Sequence, residues 1–173
     1  LWQGGMSFHG GLLGVGFAIW AFAVVRRYQW IPVGDIVACA APIGLLLGRI
    51  ANFINGELYG RVTSSPLGMV FPGGGPLPRH PSQLYEAALE GLLLFFVLLW
   101  FARKKHWFDR AGFLSGVFLV GYGMLRSFAE LFREPDTHLG YLPFGTTMGQ
   151  WLSLPLLLLG IWLIFRSWKN ATT

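Results

Sequence analysis

The chain has 173 residues, of which 54% are hydrophobic and only 12% are charged. Soluble domains carry roughly 25% charged residues, and a surface with so little charge would expose large apolar patches to water. A soluble fold is therefore excluded, and so is a disordered chain, which requires low hydrophobicity and high charge. The net charge of +5 does not indicate nucleic-acid binding, because most basic residues stand in short clusters at the ends of apolar runs. We predict an all-α integral membrane protein.

Five apolar runs are candidates for crossing the hydrocarbon core of a bilayer, which is roughly 30 Å thick. They cover approximately residues 10–25, 33–52, 82–102, 111–130 and 147–165. Together they predict a polytopic bundle of about five transmembrane helices, forming a single transmembrane domain over residues 1–173. Residues 61–81, between the second and third runs, are rich in Gly and Pro and predict a loop.

The basic residues divide into two groups once they are placed on these spans. Eight of the 13 lie in three places that alternate consistently with five spans, and the positive-inside rule makes these places cytoplasmic: Arg26, Arg27, Arg103, Lys104, Lys105, Arg110, Arg166 and Lys169. The other five fall near the opposite ends and are all arginine: Arg49, Arg61, Arg79, Arg126 and Arg133. The loop 61–81 is therefore predicted to face outward.

The absence of lysine from the outward group is informative. Topology does not distinguish arginine from lysine, whereas an oxyanion site does, because guanidinium offers a rigid bidentate fork that stays protonated. Arginine near the membrane is costly and suggests function. The alternative is that these side chains reach lipid phosphates without specificity. We predict an outward site for an anionic lipid headgroup.

Two segments place polar residues at the outward ends of the first two spans. His9 is flanked by glycines, and it is either a general base or a helix-entry histidine bound to a neighbour. Arg49 and Asn52 share a helical face because they are three residues apart. Asn55 and the glycines after it predict that the helix gives way to a tight loop, in which Asn55 and Glu57 are candidates for an internal loop anchor.

The third span carries two carboxylates, Glu86 and Glu90, four residues apart on one face. Carboxylates inside a span must be neutralised by protonation or by arginine partners. The available partners are Arg49 and Arg126. At least one of the two acids is predicted to serve as a structural ion pair.

A fourth segment contains Arg126, Glu130 and Arg133 at positions i, i+4 and i+7, which predicts one helical stripe. Pro135 is predicted to end this helix. Arg126 is then nearly two turns inside the span and should point into the bundle. An intrahelical ion pair between Arg126 and Glu130 is the simpler interpretation of the same spacing.

No cofactor is predicted, because the sequence lacks metal-ligand spacings and the glycine loops of nucleotide enzymes. The single cysteine, Cys39, is in the middle of a span and is not a candidate nucleophile. These observations leave a membrane enzyme, a transporter or flippase for an anionic lipid or solute, and a non-catalytic lipid-binding subunit. A transporter needs a path to the inner side of the membrane. Asp35 is the only charged residue in the sequence that suggests such a path.

The polar segments together resemble a known family. Residues 48–60, GRIANFINGELYG, resemble the signature of the prolipoprotein diacylglyceryl transferases of bacterial inner membranes. Residues 7–11, 79–86 and 126–136 are similar to other blocks of that family. The resemblance implies transfer of the diacylglyceryl group of phosphatidylglycerol to the lipobox cysteine of a prolipoprotein, with release of glycerol 1-phosphate. It also implies a multi-pass protein of the cytoplasmic membrane whose active site faces the periplasmic leaflet, and no metal or nucleotide.

The resemblance also assigns candidate site residues by matching positions. Arg49 would bind the headgroup, supported by Asn52, Glu57 and Gly60. His9 and Arg126 match residues that the family needs for activity, and we take them as the candidate catalytic residues, with His9 as the candidate base. The remaining candidate substrate-binding residues are His80, Glu130 and Arg133.

The chain departs from the family pattern at its N-terminus. The family has further helices and an outward segment before the block around His9, including a tyrosine implicated in activity, whereas this chain begins Leu1-Trp2-Gln3. The loop 61–81 is also compact for the family. We therefore expect the N-terminal helices to be missing from this chain and the chain alone to be inactive.

Overall fold

The computed structural model describes residues 8–134 and 146–169, with only the backbone described for Phe8, His9 and Leu12. These residues form helices α1 (Phe8–Arg26), α2 (Trp30–Ile54), α3 (Ser82–Glu86), α4 (Leu94–Ala102), α5 (Lys105–Phe108), α6 (Phe113–Ala129) and α7 (Met148–Lys169). A π-helical segment, Ala87–Leu93, joins α3 to α4. Within the described ranges there is no extended strand, only isolated bridges in the loops. The predicted all-α fold is confirmed.

Each of the five predicted spans is an apolar helix. Three are long and apolar enough to cross a bilayer, namely Trp30–Ile54, Ser82–Ala102 and Met148–Lys169. The other two, Leu13–Arg26 and Phe113–Ala129, are shorter apolar helices. Many large apolar side chains on these helices are exposed, which a hydrocarbon solvent permits and water does not. The chain is a polytopic membrane protein.

Helices α6 and α7 pack closely through small residues. A side chain on Gly116 would lie 2.8 Å from the carbonyl oxygen of Gly160, and one on Gly160 would lie 2.8 Å from the carbonyl oxygen of Gly116. Close approach of this kind is how membrane helices gain van der Waals contact in the absence of a hydrophobic driving force between them. The two helices are therefore held in one register.

Asp35 of α2 caps the start of α6. Its Oδ2 accepts a hydrogen bond from the Gly112 N–H at 2.6 Å, and its Oδ1 accepts one from the Ser115 N–H at 2.7 Å. Gly112 has a φ of +92°, which glycine adopts without strain. The first N–H groups of a helix lack partners within it, and a bilayer supplies no water for them. Asp35 is thus a helix cap that ties α2 to α6, and it marks no path across the membrane.

The loop between α2 and α3 is tied to the segment after α6. Gly60 forms an antiparallel bridge with Arg133, and Arg79 bridges both Val62 and Met69. We call this side of the bundle, with residues 55–81, the loop end. The ends of α2 and α6 and the starts of α3 and α7 also lie there.

The predicted stripe from Arg126 to Arg133 is wrong. Helix α6 ends at Ala129, Glu130 is its C-cap, and Arg133 lies in the bridge to Gly60. Arg126 is in the last turn of α6, not nearly two turns inside it. Pro135 lies outside the described residues, and the helix ends six residues before it. The loop pairing competes with continuation of the helix and prevails.

Candidate functional site

Five charged side chains from four segments meet at the loop end. Arg49 Nη2 lies 2.7 Å from Glu86 Oε2, and Arg126 Nη1 lies 2.8 Å from the same oxygen. Glu90 is 3.8 Å from Arg49 and 3.7 Å from Arg126, and Arg126 Nη2 is 3.0 Å from Glu130 Oε2. We call these five residues the arginine cluster. The prediction that at least one of the two acids serves as a structural ion pair is confirmed for Glu86.

The arginine cluster is almost closed to solvent. The side chains of Arg49 and Arg126 are 16% and 12% exposed, and those of Glu86 and Glu90 are 1% and 0% exposed. Within the described residues, neither oxygen of Glu90 accepts a hydrogen bond. Buried ion pairs recover the cost of desolvation only with good geometry. A surface pair that merely adds solubility would not take this form.

The two guanidinium groups converge from different helices on one point. Arg49 belongs to α2 and Arg126 to α6, and Glu86 of α3 holds both by a single oxygen. The π-helical segment beside Glu86 lies against α2, where a side chain on Gly91 would be 2.7 Å from the Leu46 Cβ. A phosphate oxygen bound beside Glu86 would be within reach of both forks, which is the arrangement that favours an oxyanion.

Two of the five outward arginines instead hold the loop. Arg61 Nε donates to the Arg133 carbonyl at 2.7 Å and its Nη2 to the Glu130 carbonyl at 3.3 Å. Arg79 Nε donates to the Gly74 carbonyl at 2.8 Å, and Nη1 donates to Glu134 at 2.6 Å. The sequence predicted that all five outward arginines form the anion site. In the structure, these two are instead engaged with partners that hold the loop.

The segment from Asn52 to Gly60 is largely a loop anchor. The Asn55 side chain donates to Glu57 Oε1 at 3.3 Å, as one of the two interpretations predicted. The Asn52 carbonyl accepts the Glu57 N–H at 3.0 Å, and the Asn52 side chain is one helical turn beyond Arg49. A side chain on Gly60 would lie 2.7 Å from the His80 carbonyl oxygen and closer still to that of Phe132. Gly60 is thus required for packing, and direct substrate contacts of these residues stay predictions.

The structure describes the side chain of His80 but not that of His9. His80 Nδ1 is 3.2 Å from the Tyr85 hydroxyl, and its ring packs edge-on against Phe132 at a centroid distance of 5.3 Å. His9 lies in the first turn of α1, and its side chain is outside the described residues. The assignment of His9 as the base therefore stays a prediction.

Three residues near the arginine cluster were given no role from the sequence. Ser82 and Gln83 are buried at the start of α3 and donate to the Leu58 and Glu57 carbonyls at 3.2 and 2.6 Å. They connect the loop to the helix that carries Glu86. Gly149, in the first turn of α7, faces the Glu130 carboxylate. Ser82 and Gln83 stood within a polar segment already noted, whereas nothing local to residue 149 indicated its neighbour.

Comparison with known proteins identifies the family of this chain. A family model described as prolipoprotein diacylglyceryl transferase matches residues 1–166. Proteins named phosphatidylglycerol–prolipoprotein diacylglyceryl transferase are similar over most of the chain. The one from Idiomarina loihiensis is 57% identical over 171 residues, covering 99% of this chain and 63% of its own length. The one from Paramagnetospirillum magneticum is 60% identical over 176 residues, covering 99% and 65% respectively.

A third relative of the same name, from Rhodospirillum centenum, is 55% identical over 170 residues, covering 96% of this chain and 61% of its own length. The chain thus spans about three fifths of the length of the curated relatives it matches. The family match runs over nearly the whole chain. The chain belongs to the prolipoprotein diacylglyceryl transferase family.

Proposed function

We propose that the protein transfers the diacylglyceryl group of phosphatidylglycerol to the lipobox cysteine thiol of a prolipoprotein, the first step of lipoprotein maturation. The convergence of Arg49 and Arg126 on one Glu86 oxygen carries this proposal, since it presents two guanidinium groups to one oxyanion. Family membership supplies the chemistry of the two substrates.

The reaction makes a defined demand on the site. A C–S bond forms between the thiol sulfur and a glyceryl carbon, and the C–O bond from that carbon to the phosphate breaks. The electron pair leaves with glycerol 1-phosphate, and the thiol proton passes to a base, for which His9 is the candidate. Negative charge therefore grows on the phosphate in the transition state, where preorganised cationic donors are most effective.

Arg49 and Arg126 are suited to that role for two reasons. Both are held in a nearly closed cluster, and electrostatic interactions are stronger where water is excluded. Both are also arginines, whose planar forks match phosphate oxygens in pairs. We assign Arg49 to the headgroup phosphate and Arg126 to the developing charge, with Glu130 beside Arg126 and with Asn52, Glu57, His80 and Arg133 around them.

We place the protein in the bacterial cytoplasmic membrane, with the loop end toward the periplasmic leaflet. A transporter is less well supported, because both oxygens of Asp35, the only charged residue that suggested a path inward, cap α6.

A reconstituted assay tests the proposal. The full-length protein encoded by its gene is placed in nanodiscs containing phosphatidylglycerol and mixed with a lipobox peptide. We expect the peptide to gain the mass of one diacylglyceryl group and glycerol 1-phosphate to be released. A peptide with serine in place of cysteine, and discs of phosphatidylethanolamine, are the matched controls. Lipid movement between leaflets with no mass gain would contradict the transferase and favour the transporter.

A further inference from the structure

Gly149 marks a contact between α7 and the arginine cluster. A side chain built on Gly149 would lie 2.8 Å from Glu130 Cδ, 2.8 Å from Oε2 and 2.9 Å from Oε1. The Glu130 carboxylate thus fills the space that any other residue at position 149 would need. Glu130 in turn holds Arg126 at 3.0 Å. The first turn of α7 therefore packs directly against the cluster.

The backbone on each side of this contact is fixed. The Ser153 hydroxyl donates to the Gly149 carbonyl at 2.7 Å, and Gln150 Oε1 accepts the Thr147 N–H at 3.2 Å. Below this turn, α7 is locked against α6 by the contact of Gly116 with Gly160. The packing of α7 on α6 therefore opposes a shift of the whole helix away from Glu130.

The main chain of Glu130 is held by hydrogen bonds, so that only its side chain can move. Its N–H donates to the Arg126 carbonyl at 3.0 Å, and its carbonyl accepts from Arg61 at 3.3 Å. The atoms that would clash with a methyl group on residue 149 all belong to the end of the Glu130 side chain. A rotamer change can displace such an end without any movement of the backbone. Such a displacement would move the carboxylate from its position beside Arg126.

We propose that Gly149 is a positioning residue of the arginine cluster: the space left by its missing side chain seats Glu130, and Glu130 from there orients the Arg126 guanidinium. The proposal rests on the proposed transferase function. The N-terminal end of α7, which is the positive end of its helix dipole, also lies beside the Glu130 carboxylate.

The G149A variant of the full-length protein tests this role. We expect kcat/KM for diacylglyceryl transfer to fall about 10- to 100-fold, the cost of misplacing a charged group by about 1 Å, while Tm in the same nanodiscs stays near that of the wild type. The matched control is G44A, because Gly44 is also in a helix and has no atom within 4 Å of the added methyl group. G44A should retain wild-type activity.

A double-mutant cycle with Glu130 separates positioning from a general loss of structure. Glu130→Asp shortens the side chain by one methylene group and removes the atoms that meet residue 149. Alone it should lower the activity, but adding G149A to it should cost roughly two-fold or less, because coupled residues are not additive. Equal losses in both backgrounds, or near-normal transfer by G149A, would overturn the proposal. If G149A fails to accumulate, the double variant tests the same contact.

A crystal structure of the G149A variant checks the geometry without reference to activity. The distance from Arg126 Nη2 to the Glu130 carboxylate, 3.0 Å in the wild type, should lengthen. An unchanged distance would overturn the proposal. If the wild-type protein transfers nothing while this distance does lengthen, the proposed function fails and the positioning role of Gly149 stands.

Discussion

Arg49 Nη2 and Arg126 Nη1 contact the same oxygen of the Glu86 carboxylate, at 2.7 and 2.8 Å. Arg126 uses its second Nη atom to reach Glu130, so its planar fork serves two partners at once. Lysine carries a single ammonium on a flexible stem and cannot span two fixed positions in this way. The identity of the residue at position 126 therefore matters beyond its charge.

Replacing Arg126 with lysine should reveal this difference. In the reconstituted assay we expect R126K to lower kcat/KM about 100-fold and R126A somewhat more, comparable with losing one preorganised donor to a transition-state oxyanion. R103K is the matched control, because Arg103 is exposed at the opposite end of the bundle. Near-normal transfer by R126K would contradict the role of the bidentate fork.

At the scale of the elements, α6 carries part of the arginine cluster at one end and is capped by α2 at the other. Asp35 caps its first turn, and Arg126 in its last turn shares Glu86 with Arg49 of α2. The two helices are thus joined at both ends by a carboxylate. In a bilayer, uncapped N–H groups find no solvent partner, so the cap contributes more than an exposed one would.

Removal of the cap should therefore lower stability. We expect D35A to reduce the free energy of unfolding by about 1–2 kcal/mol, the usual cost of losing an N-cap, with D35N in between because its amide keeps one acceptor. Thermal denaturation in one detergent measures the change. D109A removes an exposed aspartate from the segment just before α6 and should be neutral. Equal Tm values for D35A and D109A would contradict the capping role.

On the scale of the whole molecule, the two ends of the bundle carry different arrangements of charged residues. The arginine cluster lies at the loop end, whereas the opposite end carries basic side chains over tryptophan rings, such as Lys104 over Trp100 at 3.8 Å and Arg166 over Trp162 at 5.3 Å. Cationic and aromatic residues together are typical of the cytoplasmic interface of a membrane protein. By the positive-inside rule, this distribution supports the proposed orientation, in which the loop end faces the periplasm.

Cysteine accessibility tests that orientation. In a C39A background, which removes the one cysteine of residues 1–173, S64C places a thiol in the loop and H106C places one at the opposite end, both at exposed positions. A membrane-impermeant maleimide added to spheroplasts should label S64C and spare H106C until the membrane is permeabilised. The reverse pattern would contradict the proposed topology.

The sequence by itself determined the architecture, since hydrophobicity summed over about 20 residues identifies a membrane helix with little help from tertiary contacts. It also determined the two buried ion-pair partners of Glu86, because a carboxylate inside a span has few residues able to neutralise it. It did not predict the π-helical segment, the short α5 or the end of α6 at Ala129. The end of α6 depends on the pairing of Arg133 with Gly60, which belongs to a distant loop.

Only the tertiary structure decided which arginines form the buried cluster. Arg61 and Arg79 looked equivalent to Arg49 and Arg126 in sequence, yet the first two hold loop carbonyls and the second two share a buried carboxylate. The same is true of Gly149, whose neighbour Glu130 belongs to another element. Composition and spacing determine what a residue can do within its own helix, whereas its partners depend on which helices the fold brings together.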